Sequence, residues 1–200
     1  MSREDNMKKK LIGILLLAAA MVSIPLITVR NGVYPDAREV FSDSSTNKTD
    51  KITELVCAGY RDEYCAEAIK ALVIILNSNY KAKKNKFSEK DFMSKEKFVK
   101  KYGENKYSFI EKTVDELKEK TIKYKKETVY TPLFFLSDGY IMKNQEYPQL
   151  KNCACPWDKL SDSFEECGNI NGISMNTVNE LCKKGASYKE AIKWFINGKV

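Results

Sequence analysis

Residues 63–80 read EYCAEAIKALVIILNSNY, and this stretch decides the fold. Ile69, Leu72, Val73, Ile74, Ile75 and Leu76 leave almost no polar stripe, so a helix here is apolar around most of its circumference and demands cover on every side. Its length and the residues Ala66, Ala68 and Ala71 favour a helix over a strand. The cover has to come from flanking segments. Ser88–Tyr102 fits an amphipathic helix opened by Ser88 with Asp91 three positions on, and Tyr107–Leu117 fits a short helix. TIKYKKETVYT, residues 121–131, alternates polar and apolar positions, which predicts a hairpin turning at Lys125-Lys126; a helix continuing to Lys126 is the alternative. Pro132–Leu136 prolongs the extended run and Asp138-Gly139 reads as a turn. Thr177-x-x-Glu180 and Ser187-x-x-Glu190 are two capping boxes. The first opens a helix stopping at Gly185; the second opens one carrying Ala191, Ile192, Trp194, Phe195 and Ile196. Separate helices and hairpins of this kind predict an α+β domain.

Upstream lies a different kind of sequence. Leu11–Val29 contains no charge and is bracketed by Lys8-Lys9-Lys10 and Arg30. As a helix it spans roughly 28 Å, about one hydrocarbon core. The basic flank places residues 1–10 in the cytoplasm as a basic tail, 11–29 across the membrane as a signal anchor and everything after it outside. Ala18-Ala19-Ala20 resembles a signal-peptide cleavage site, but Met21, Val22, Ile24, Leu26 and Ile27 continue the apolar run beyond it and favour an uncleaved anchor. Residues 30–50 are rich in Ser, Thr and Asp without periodicity and read as a linker, leaving 51–200 as one domain outside the cytoplasm.

The chain has 200 residues, no histidine, six cysteines and a formal charge of +7. Without histidine there is no Ser-His-Asp triad, no Cys-His dyad and no His-containing zinc site. Catalysis, if any, falls to carboxylates, Lys, Tyr, Ser or Cys. The positive charge sits between Lys81 and Lys126, and the run Lys81–Lys101 interleaves its lysines with Phe87, Phe92 and Phe98. Two readings apply: a solvated helical face, or attraction to an anionic layer such as lipid headgroups or a wall polymer. A domain outside the cytoplasm does not meet nucleic acid. No cofactor motif is present, and no resident cofactor or metal is expected.

Cys57, Cys65, Cys153, Cys155, Cys167 and Cys182 all fall in the part placed outside, where an even count predicts disulfides. Buried free thiols are the alternative. The C-x-C spacing of Cys153 and Cys155 is not ordinary zinc-finger spacing, although four thiolates suffice to hold zinc in principle. A nucleophilic cysteine lacks a companion base.

Four blocks in order resemble the stage II sporulation protein D family. Cys57–Ala71 (CAGYRDEYCAEAIKA) resembles its opening motif, and Thr113–Gly139 its hairpin region, ending on Ser137 and Gly139. Tyr147–Asp158 (YPQLKNCACPWD) is similar to its P-Y-L-x-x-V-x-S-P-W-D, and residues 168–192 are similar to its closing G-H-G-V-G-M-S-Q-Y-G segment. The resemblance implies a membrane-anchored protein of spore-forming bacteria whose relatives are lytic transglycosylases acting on peptide-free peptidoglycan glycan strands during engulfment. It places the domain in the space between mother cell and forespore, with glycan, membrane and other envelope or sporulation proteins as partners.

The departures bear on mechanism. Counted back from Glu67, the family's catalytic Glu falls on Gly59, its Arg on Asn77, its His on Asn169 and its final-motif Gln on Met175. A lytic transglycosylase needs an acid that protonates the glycosidic oxygen and then takes the proton of the attacking hydroxyl, which glycine cannot do. Of the polar framework Lys70, Ser137 and Ser174 remain as candidate substrate-binding residues, with Gly139, Gly168 and Gly172 as turns. The expectation is a glycan-binding or regulatory pseudoenzyme. One alternative is an active divergent enzyme using a relocated carboxylate, Glu63 or Asp62; another is a disulfide-bonded structural adaptor.

Overall fold

The computed structural model describes residues 45–83, 87–143, 145–159 and 171–200. Helix α1 (Ser45–Gly59) leads through a short loop into α2 (Ala66–Ala82), the apolar stretch that sets the architecture. Every residue from Ala71 to Tyr80 is buried, and α1, α4 (Glu104–Leu117), α6 (Met175–Lys183) and α7 (Tyr188–Phe195) pack around it. Enclosing Leu72, Ile74, Ile75 and Leu76 contributes about 1.5–3 kcal/mol each.

Both ends of α2 are tied to distant parts of the chain. At its start the Cys65 side chain makes no cap; Asn179 on α6 accepts from the Cys65 amide through Oδ1 at 2.9 Å and donates Nδ2 to the Glu63 carbonyl at 3.2 Å. At its end three buried polar residues grip the segment beyond α4. Asn77 donates to the carbonyls of Lys118 and Lys120, both at 2.8 Å. Ser78 accepts from the Ile122 amide at 2.7 Å. Asn79 donates to the Thr131 carbonyl at 2.8 Å and accepts from its amide at 2.7 Å. Buried polar groups left unmatched are costly, so these bonds fix where the hairpin region sits.

That region holds strands β1 (Lys123–Tyr124) and β2 (Glu127–Thr128), an antiparallel hairpin turning at Lys125-Lys126 as the alternation predicts. Both turn lysines adopt positive φ, 50° and 73°. Mirror-image turns demand this conformation, which costs a non-glycine residue about 1–2 kcal/mol. Strand β3 (Leu133–Phe134) pairs in parallel with β6 (Ile173–Ser174), and β4 (Tyr140–Ile141) pairs antiparallel with β5 (Cys153–Ala154), which precedes the single turn α5 (Pro156–Lys159). The architecture is α+β: helices around α2, with small sheets at the margin.

Three boundaries and the state of the cysteines differ from the sequence reading. Residues 45–50, read as the end of a linker, begin α1. The polar first turns of an amphipathic helix imitate a linker when its apolar face (Ile52, Leu55, Val56) starts later. Ser88–Tyr102 is not one helix. The Ser88–Asp91 capping box closes a 3-10 turn, Glu89–Asp91, and α3 starts afresh at Lys95 and runs to Tyr102, capped by Ser94. The Met93 amide donates to the Glu54 carbonyl of α1 at 3.0 Å, which takes the intervening residues out of the helical ladder. The cap of α6 is Ser174, not Thr177, because the Thr177 hydroxyl is drawn to Asp158 at 3.0 Å. Free thiols stand at Cys57, Cys65, Cys153, Cys155 and Cys182 where disulfides are expected; Cys57 lies in the core as a small apolar side chain. The Ser187–Glu190 box opens α7 as read.

Among the described residues no helix is long and apolar enough to cross a membrane. The anchor read over Leu11–Val29, most of the linker, Cys167, Gly168 and Asn169 lie outside the described residues.

Gly172 is where β6 meets β3. A Cβ there would lie 2.4 Å from the Pro132 carbonyl oxygen and 2.9 Å from the Phe134 ring. Gly172→Ala is therefore expected to lower stability by about 1–3 kcal/mol, seen as a lower urea midpoint at unchanged slope. An unaltered midpoint would contradict the close β3–β6 approach.

Candidate functional site

An open cleft of about 440 Å³ lies where α1 ends and α6 begins, within the size range of small-ligand sites. One wall is the loop after α1: Ala58, Gly59, Tyr60, Arg61 and Tyr64. The floor is β3 and its continuation, Leu133, Phe134 and Phe135, beside Met175. Met93, Lys101 and Tyr102 complete the rim.

Each part is held by the local fold. Tyr60 is wedged edge-on against Phe98 and Tyr102 of α3, with ring centroids 5.2 and 5.0 Å away, geometry that favours the ring quadrupoles. The Arg61 guanidinium lies 3.5 Å over the centre of the Phe135 ring, a cation held on an aromatic face. Ser174 donates its hydroxyl to the Phe135 carbonyl at 3.3 Å and the Asn176 amide donates to the same oxygen at 3.0 Å. Those bonds lock the floor to the strand–helix junction carrying Met175.

Electrostatically the cleft is a pair of cations among aromatic rings, and its lining residues include no Asp or Glu. Burial and the nearby Asp62 push the Tyr60 phenol up to about 12, and burial also raises the Tyr64 phenol. Both keep their protons at neutral pH and are not bases, and the Tyr60 hydroxyl donates to Asp62 at 3.2 Å. Rings, guanidinium and ammonium together can stack on the apolar face of a sugar and hold its oxygens or an attached anion. They offer no carboxylic acid to give up a proton.

Gly59 is open to a side chain. An added Cβ would meet Leu72 at 3.4 Å and Leu76 at 3.7 Å, ordinary contact distances, and its φ is not positive. Neither the backbone nor the packing around a Cβ requires glycine here. The other departures divide. Met175 lines the same cleft, whereas Asn77 serves the α2 clamp described above.

The relocated-acid candidates do not enter the cleft. Asp62 is exposed, accepts from the Tyr60 hydroxyl at 3.2 Å and is paired with Lys106. The Lys106 ammonium holds its carboxyl below the usual aspartate range, the reverse of what a general acid requires. Glu63 is exposed and absent from the lining, and its carbonyl is bound by Asn179. Neighbouring Glu67 pairs with Lys70 at 2.6 Å and accepts from the Tyr188 amide at 2.9 Å.

The candidate binding residues stand elsewhere too. Lys70 is half-exposed on α2 in that ion pair. Ser137 and Ser174 are 1% and 0% exposed, so neither presents a hydroxyl to solvent. Ser137 belongs to a network around Asp158, a carboxylate with no exposed surface. Its Oδ2 accepts from the Ser137 amide, at 2.9 Å, and from the hydroxyl; its Oδ1 accepts from Asn176 and Thr177, both at 3.0 Å. Four donors satisfy a charge that would otherwise be prohibitive to bury. This pins α5 to α6. The cleft's aromatic and cationic lining escaped sequence reading because Arg61, Lys101, Phe135 and Met175 come from four segments. The available signal was the sequence resemblance, which assigns both Gly59 and Met175 to one site.

Gly59→Ala is expected to leave stability unchanged or raise it by up to about 1 kcal/mol, read from thermal unfolding; a loss would show that glycine is structurally required. Carboxyl NMR of Asp62 should titrate below the ordinary 3.8 and move upward in Lys106→Ala. Because the folded-state value is depressed, the Asp62–Lys106 pair supports the fold above the unfolded-state value and loses that support as pH falls through the folded one. No protein-family model matches the chain, and no curated protein matches it.

Proposed function

We propose that the chain is a membrane-tethered cell-wall protein, related to the stage II sporulation protein D lytic transglycosylases, that binds peptidoglycan glycan strands without cleaving them. The observation carrying this reading is that Gly59 and Met175, far apart in sequence and both assigned to the family's site by the resemblance, line one cleft that holds aromatic rings and cations but no carboxylate. Glycan binding needs stacking surfaces and donors; glycan cleavage needs an acid. The cleft has the former and lacks the latter. The uncharged stretch Leu11–Val29 supplies the tether, and the domain acts outside the cytoplasm as a binding or regulatory module of the sporulating envelope.

The test is incubation of the purified full chain with denuded glycan strands, scoring retention and products together. The expected result is co-sedimentation with no 1,6-anhydro ends, and roughly tenfold weaker binding for Arg61→Ala, which removes the guanidinium over Phe135. Release of 1,6-anhydro products that Glu63→Gln or Asp62→Asn abolishes would establish the active divergent enzyme instead. Absence of both retention and turnover would leave the structural adaptor.

A further inference from the structure

Four of the described cysteines fall into two candidate pairs. Cys65, half-buried just before α2, packs against the buried core that includes Cys182 in the last turn of α6. Cys153 and Cys155 stand two apart along the chain. The two pairs are not equivalent. Residues two apart along an extended chain stand about 6.6 Å apart at Cα, near the upper limit for a disulfide. Cys65 and Cys182 come from different elements, and a dedicated side chain sets their approach. Asn179, three residues before Cys182 and so on the same face of α6, holds the Cys65 amide at 2.9 Å and the Glu63 carbonyl at 3.2 Å. Those two bonds draw the backbone of Cys65 onto the face that carries Cys182.

We propose that Cys65 and Cys182 are a redox pair that closes into a disulfide joining the loop before α2 to α6. The site is the covalent counterpart of the Asn179 clamp. It ties together both sides of the cleft, because Tyr60, Arg61 and Tyr64 lead into Cys65 and Met175 opens the helix that ends beyond Cys182. The oxidant is a small-molecule or protein disulfide. The half-exposed Cys65 thiolate attacks one of its sulfurs, breaking that S–S bond and releasing one thiol. The Cys182 thiolate then attacks the Cys65 sulfur of the mixed disulfide and expels the second thiol. Two protein thiols lose two electrons and two protons, and the external disulfide becomes two thiols. The consequence for the cleft rests on the proposed glycan site; the pairing itself does not.

The experiment uses the full chain carrying Cys167→Ser, incubated with glutathione disulfide, alkylated under denaturing conditions and digested with trypsin. Cleavage after Arg61, Lys70, Lys159 and Lys183 isolates Cys65 in residues 62–70 and Cys182 in residues 160–183. The expected result is one species joining these two peptides, lighter by two hydrogens than their sum and dissolved by reductant, with loss of both alkylated peptides. Recovery of both peptides alkylated, or Cys65 joined to Cys57, Cys153 or Cys155, would overturn the assignment. Failure of glycan binding would leave this result untouched, so the two ideas fail separately.

Discussion

Everything in this domain answers to one constraint, the enclosure of α2 from Ala71 to Tyr80. A helix with no polar face cannot lie on a surface, so α1, α4, α6 and α7 are recruited to cover it. A helix buried over so much of its length has a second difficulty: polar groups packed beside it need partners within the protein. Asn179 meets this at the start, while Asn77, Ser78 and Asn79 turn the last buried turn into a clamp for residues 118–131. Hydrophobic burial thus supplies the stability, and four polar side chains at the two ends supply the register.

The cleft follows from that arrangement. The loop between α1 and α2 has to cross the start of α6, which brings Gly59, Tyr60 and Arg61 beside Met175. The floor is set independently by the β3–β6 pairing, with Gly172 permitting the contact. Polar residues that sequence reasoning assigns to a substrate are spent on this scaffold. Ser174 caps α6 and Ser137 satisfies Asp158, so their chemistry is directed inward. What is left facing the open space is aromatic and cationic, a composition suited to holding a ligand still.

Legibility in the sequence followed the range of the interaction. The α2 helix, the Lys125-Lys126 turn and the Ser187–Glu190 box depend on neighbours a few positions apart, and each stands where periodicity and capping place it. Features governed by distant partners were hidden. The Ser88–Tyr102 helix breaks because Met93 bonds to Glu54, and the α6 cap moves to Ser174 because Asp158 claims Thr177. The parallel β3–β6 pair and the Asn77–Asn79 clamp leave no local pattern. The cysteines show the same limit: their number suggests pairing, but only the fold reveals that Asn179, one turn before Cys182 on α6, binds the Cys65 amide. For the site, the resemblance pointed to Gly59 and Met175, while Arg61 over Phe135 required the fold.

The central claim is that glycan is held in the cleft around Gly59 rather than by the lysine-rich helices or the buried serines. The methionines report on this directly, since Met93 and Met175 line the cleft and Met142 is 60% exposed elsewhere. Methyl NMR of the full chain, labelled at methionine and titrated with denuded glycan, is predicted to shift Met93 and Met175 while Met142 stays in place. Binding that leaves Met93 and Met175 unmoved would contradict the account.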